Sequence, residues 1–85
     1  MKILLIHKAD PHTSNLIKLW RKKRTGLGDF YQLSLLGELE ENIELITSQI
    51  ERAKTIYSIE KIIIFSKTQL PIGDLISEVE YITNF

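Results

Sequence analysis

The chain has no cysteine, only two prolines and four glycines, and a single tryptophan. The missing cysteine removes disulfides, zinc–thiolate sites and thiol nucleophiles together. Long apolar runs are missing too. Ile3-Leu4-Leu5-Ile6 is stopped after four residues by His7 and Lys8. That is too short for a signal-peptide core and far too short to span a bilayer. A cytoplasmic protein without a membrane partner is therefore expected. Low-complexity stretches, internal repeats and Pro/Gly/Ser-rich linkers are also lacking, so residues 1–85 read as one domain.

Net charge is the last absence. Eleven Lys/Arg balance eleven Asp/Glu. The neutrality hides a split, because residues 1–30 carry seven cations against two aspartates and residues 31–85 carry four cations against nine acids. Segregated charge makes a directional field, which bears on partners rather than on fold.

What is present is aliphatic. The 44% apolar content is too high for disorder. A domain this small buries only about 60–65% of its unfolded surface, so a dense core or an oligomer must supply stability. Ile3 to Ile6 reads as a strand covered on both faces. After a polar, proline-broken loop, Thr13, Ser14 or Asn15 can cap a helix carrying Leu16, Ile17 and Trp20 on one face. Cations crowd its last turn before Gly26 and Gly28. From Phe30 to Leu36, Tyr31, Leu33 and Leu35 alternate with Gln32 and Ser34, the period of a half-polar strand.

Glu38 to about Ser58 is the clearest helix, with Leu39, Ile43, Ile46, Ile50, Ala53 and Tyr57 spaced 4-3-4-3-4 and Leu45 and Ile56 widening the stripe. Packing on a sheet is the expected use of that face, and a coiled-coil seam the alternative. Lys61 to Ser66 holds a second buried strand, Ile62-Ile63-Ile64-Phe65. From Pro71, the spacing of Ile72, Leu75, Ile76, Val79 and Ile82 predicts a final helix.

The resulting β-α-β-α-β-α order predicts an α/β fold with a small three-stranded, mostly parallel sheet in the order 2-1-3. The half-polar strand then falls at an edge. The alternation resembles half of a Rossmann-like or flavodoxin-like domain, a likeness of fold that carries no function. A ferredoxin-like α+β sandwich is the rival if residues 30–36 pair antiparallel. Two open edges in so small a chain predict a homo-oligomer, most simply a homodimer.

Ligands of open parallel sheets bind beyond the strands' carboxyl ends, where strand order reverses. That rule selects Asp10, His12, Thr13, Ser14 and Asn15 with Ser66, Lys67 and Thr68 as a candidate anion site, although the same residue types serve any loop and helix cap. His7, Asp10 and His12 are the weak candidates for acid–base catalysis, as in a small phosphoryl-transfer or nuclease-type enzyme. Their spacing matches no metal motif, and no metal or cofactor is expected. Thr25-Gly26-Leu27-Gly28-Asp29 lacks the Gly-Lys-Ser/Thr of a phosphate loop and reads as a helix stop. Lys18, Arg21, Lys22, Lys23 and Arg24 are the candidate nucleic-acid contacts. Trp20 beside them can stack on a base, but it shares the apolar helix face and reads first as core.

The sequence thus favours a small non-catalytic binding or regulatory domain for an anionic ligand: a nucleotide, a phosphorylated metabolite or a nucleic-acid backbone. A structural protein assembled through its charge split is the other class.

Overall fold

The computed structural model describes residues 1–72 and 78–84. Two strands have no polar face, and they set the architecture. β1 (Lys2–Lys8) and β3 (Lys61–Phe65) lie side by side in parallel, flanked by β2 (Asp29–Leu35) and β4 (Val79–Ile82). The order is β2-β1-β3-β4, and all three pairings are parallel. The fold is α/β, with four strands rather than three. The parallel β1–β2 pairing overturns the antiparallel arrangement that a ferredoxin-like sandwich required.

Strand alternation divides the core into two layers. Leu4, Ile6, Ile62 and Ile64 point toward α2 (Ile43–Tyr57) and meet Ile46, Ile50 and Ala53. Ile3, Leu5, Ile63 and Phe65 point the other way, toward Ile17 of α1 (Pro11–Lys22). Most of these side chains are wholly buried. The a/d-like stripe of α2 is a sheet-facing stripe. Leu45 and Ile56, expected to widen it, are exposed instead. The helix also starts later than its pattern suggested, after a 3-10 turn at Leu39–Asn42.

The expected final helix is not what the described residues form. Val79 and Ile82 belong to β4, while Leu75 and Ile76 lie outside the described residues. Glu78-Val79-Glu80-Tyr81 alternates with period two. Val79 and Tyr81 turn toward the α2 layer, where the Tyr81 hydroxyl accepts from Leu70 N–H at 2.9 Å. Helical spacing and strand alternation overlap in so short a window, and pairing to the buried β3 decides for the strand. Among the described residues, no helix is long and apolar enough to cross a membrane.

Gly28 joins α1's exit to β2. Its φ is +142°, and a Cβ there would collide with the Met1 carbonyl, which accepts from Asp29 N–H. Gly26 has open space around it. Gly28→Ala is therefore expected to destabilise by at least about 1–3 kcal/mol, whereas Gly26→Ala stays within about 1 kcal/mol of wild type. Urea unfolding of the two variants checks the contrast, and equal losses would contradict it.

Candidate functional site

Asp10 is the N-cap of α1, three residues before the position the loop pattern suggested. Pro11, with no N–H to lose, takes the first helical position. Asp10 accepts twice from Thr13, from the backbone N–H at 2.8 Å and from the hydroxyl at 2.9 Å. These bonds hold the Asp10 carboxyl below its ordinary value of 3.8, with smaller help from Lys8 and His12. Both carboxylate oxygens are thereby committed to the helix start.

His7 is equally committed. It is buried on the α1 side of the sheet. Its Nδ1 lies 2.9 Å from the Lys8 carbonyl, and its Nε2 lies 3.2 Å from Gln32 Nε2. Arg21 Nη1 donates to Gln32 Oε1 at 2.6 Å. That bond fixes the amide with its NH2 toward His7, so Nε2 accepts and the proton sits on Nδ1, donating to Lys8 O. His12 is exposed on the first turn of α1. The structure thus gives His7, Asp10 and His12 three separate settings. Among the described residues, no three of His, Asp and Glu are grouped to hold a metal ion.

The crevice at the carboxyl ends of β1 and β3 exists, with a volume near 280 Å³. It gathers Asp10, Thr13, Ser66 and Lys67 of the expected set, together with Lys8, Glu38 and Glu40. Thr68 stands beside it, its hydroxyl donating to Glu40 at 2.8 Å. Ser14 lies in a different groove, and His12 and Asn15 line neither. Glu38 binds Lys8 at 2.6 Å and raises the lysine's pKa through that bond. The Thr68 bond lowers the pKa of Glu40. Three carboxylates against two lysines leave this crevice with a negative surplus, a poor electrostatic match for an anion. Applying the strand-end rule to β2 as well would have found Glu38 and Glu40.

The positive surplus lies on the other side of α1. A groove near 840 Å³ runs between α1 and edge strand β2, lined by Ser14, Lys18, Arg21, Lys22, Thr25 and Gln32, with Phe30 in its wall. Asp29 is the one carboxylate there, against three cations. The Arg21 guanidinium sits 5.6 Å from the Phe30 ring centre. Lys23 and Arg24 face elsewhere. They line a smaller cleft on the β4 side with Leu19, Trp20 and Ile82. Arg24 lies over the Trp20 ring at 4.3 Å, and Phe30 and Phe65 meet that ring edge-on, both at 5.6 Å. Trp20 is thus packed and partly buried, as its place on the apolar helix face suggested. Its buried Nε1 has no hydrogen-bond partner among the described residues. None of the five cations of this region is ion-paired among the described residues.

The site class these residues define is a basic groove beside an open sheet edge on a small parallel α/β domain. No protein-family model matches the chain, and neither a curated protein nor a solved structure matches it.

The Asp10 cap has a pH signature. Because its folded pKa lies below the unfolded value, its stabilising effect is complete above pH 3.8 and is lost as pH falls through the folded pKa. Asn caps helices about as well but does not titrate in this range. Melting temperatures of wild type and Asp10→Asn are therefore expected to be close near neutrality, with the wild type falling more steeply in acid. Parallel curves down to about pH 2 would remove Asp10 from the acid response.

Proposed function

We propose that this domain is a non-catalytic binding module for a polyanion, with a nucleic-acid backbone as the ligand the groove fits best. The reading rests on one observation: Lys18, Arg21 and Lys22 line one open groove, and none of them is paired to a carboxylate among the described residues. On a helix with about 3.6 residues per turn these three positions fall within one narrow arc. They present a row of charge rather than a closed pocket. Ser14, Thr25 and Gln32 add hydrogen-bonding groups along the same wall. Such a row suits phosphates spaced along a strand, with little sequence readout. A nucleotide or phosphorylated metabolite would use only part of it.

The Rossmann-like winding of the β2-β1-β3 core supplies the scaffold in this reading, and the cytoplasm is where the module works. Self-association through the sheet edges is its second component, supported by the two edge strands β2 and β4. The acid–base alternative has less support, since His7 and Asp10 already spend their polar atoms on the fold.

Fluorescence anisotropy of labelled single- and double-stranded oligonucleotides across a salt series tests the reading. Wild type is expected to bind at low salt and to weaken as salt rises. Lys18→Gln, Arg21→Gln and Lys22→Gln together are expected to flatten the log–log salt slope by about 2–3, at roughly 0.7–0.9 per phosphate contact. Lys23→Gln with Arg24→Gln is expected to do less. Absent binding at low salt, or a triple variant that binds like wild type, would overturn the proposal.

A further inference from the structure

We infer that copies of this chain associate head to tail, the β4 edge of one adding in parallel to the β2 edge of the next. The inference deepens the self-association part of the proposed function and uses the same three cations, but its test needs no nucleic acid. Backbone directions come first. Asp29 N–H donates to Met1 O, and Leu35 O accepts from Ala9 N–H. Odd-numbered β2 residues therefore turn their backbone groups toward β1, and Phe30, Gln32 and Ser34 turn theirs outward. On β4, the Glu78 and Ile82 carbonyls accept from Ile62 and Ser66 of the β3 side. Val79 and Tyr81 therefore face outward. These are the interleaving sets that parallel pairing needs, with Gln32 opposite Glu80 and Phe30 opposite Glu78 of the second copy.

Side chains favour that register. On β4, Glu80 lies on the α1 face of the sheet, since it pairs with Ile63, and Glu78 shares that parity. In the docked pair both glutamates enter the groove of Lys18, Arg21 and Lys22, Glu80 sharing its carboxylate with Lys61, which holds it at 3.4 Å in the single copy. Val79 falls on the opposite face, beside a second groove near 290 Å³ whose lining includes Tyr31, Leu33, Ile56 and Tyr57 together with Gln49 and Arg52. Tyr31 and Tyr57 stack there at 4.9 Å, and Ile56 and Tyr57 are exposed in the single copy. Acid thus meets base on one face, and Val79 comes beside the Tyr31–Tyr57 stack on the other.

Two-fold alternatives fail on charge. Antiparallel β2 against β2 keeps both α1 helices on one face and sets their three cations against each other. Antiparallel β4 against β4 does the same with Glu78 and Glu80. The unlike edges instead set Glu78 and Glu80 against Lys18, Arg21 and Lys22. A heterologous contact of this kind propagates, and sheet twist of about 20–25° per strand rotates each successive copy. An open chain results rather than a closed dimer.

Sedimentation velocity of the whole chain over a concentration series, at about 0.02 M and about 0.5 M salt, is the test. Expected is a ladder of species beyond dimer at low salt that collapses at high salt. Glu78→Lys with Glu80→Gln, and separately Lys18→Glu with Lys22→Glu, should each weaken association about tenfold. An equimolar mixture of the two variants should restore it, because reversed charges again face opposite charges. That recovery also shows that both variants are folded. A monomer at every concentration, a species that stops at dimer, or variants that assemble like wild type would overturn the inference.

Discussion

Everything in this molecule follows from two strands that have no polar side. Leu4 and Ile6 face one way and Ile3 and Leu5 the other, all essentially buried, and Ile62 to Phe65 repeats the pattern. A strand of this kind is stable only with a layer on each face, and among the described residues α1 and α2 provide them. Parallel pairing forces each connection to cross over the sheet, so α1 and α2 land on opposite faces. Burying β1 and β3 leaves β2 and β4 at the rims. Each helix is narrower than the sheet it covers. The clefts on both sides of α1 and the groove beside α2 are the spaces that remain.

That constraint was readable from the residues. Two continuous β-branched or leucine-rich runs name the buried strands, and the alternation of Tyr31, Leu33 and Leu35 with Gln32 and Ser34 names an edge. The parallel 2-1-3 core follows, and the sheet contains it. The end of the chain was harder. Ile72, Leu75, Ile76, Val79 and Ile82 satisfy helical spacing, while Glu78 to Tyr81 also alternates with period two. Glu80 within β4 and Glu78 just before it fall on the same face of the strand. The α1 start is Asp10, three to five residues ahead of the expected caps Thr13, Ser14 and Asn15. Asp10 followed by Pro11, with Thr13 three residues on, was the better signal, since it supplies both a capping carboxylate and a first helical residue without an N–H.

The candidate site was legible in kind and misplaced in detail. Trp20-Arg21-Lys22-Lys23-Arg24 is a run in sequence but not one patch in space. At about 100° per residue, Lys18, Arg21 and Lys22 share an arc facing β2, while Lys23 turns away. Arg24 lies past the last turn of α1 and is spent on the Trp20 ring. The five candidate cations therefore divide between two clefts, Lys18, Arg21 and Lys22 in one and Lys23 and Arg24 in the other. The strand-end crevice fared the opposite way. Its residue types were foreseen, but its sign was not, because Glu38 and Glu40 arrive from the β2 connection rather than from the two loops first considered.

Zero net charge in this chain is a balance between surfaces, not an absence of field. A bare sheet edge accepts any strand, which is why edges are hazards. In the head-to-tail proposal, Lys18, Arg21 and Lys22 beside one edge and Glu78 and Glu80 beside the other change that, with Lys61 paired to Glu80 and Lys23 and Arg24 in the cleft further along β4. They oppose pairing of like edges and restrict partners to strands that carry acid at alternate positions. In both proposals the same Lys18, Arg21 and Lys22 are the attracting groups. A phosphate backbone and a neighbour's Glu78 and Glu80 would therefore compete for one groove, and salt would weaken both in parallel. Backbone pairing distinguishes them, because only a strand satisfies the outward groups of Phe30, Gln32 and Ser34. A polyanion can take the cations and leave that edge open, so releasing a neighbour and binding a phosphate backbone become two faces of one exchange.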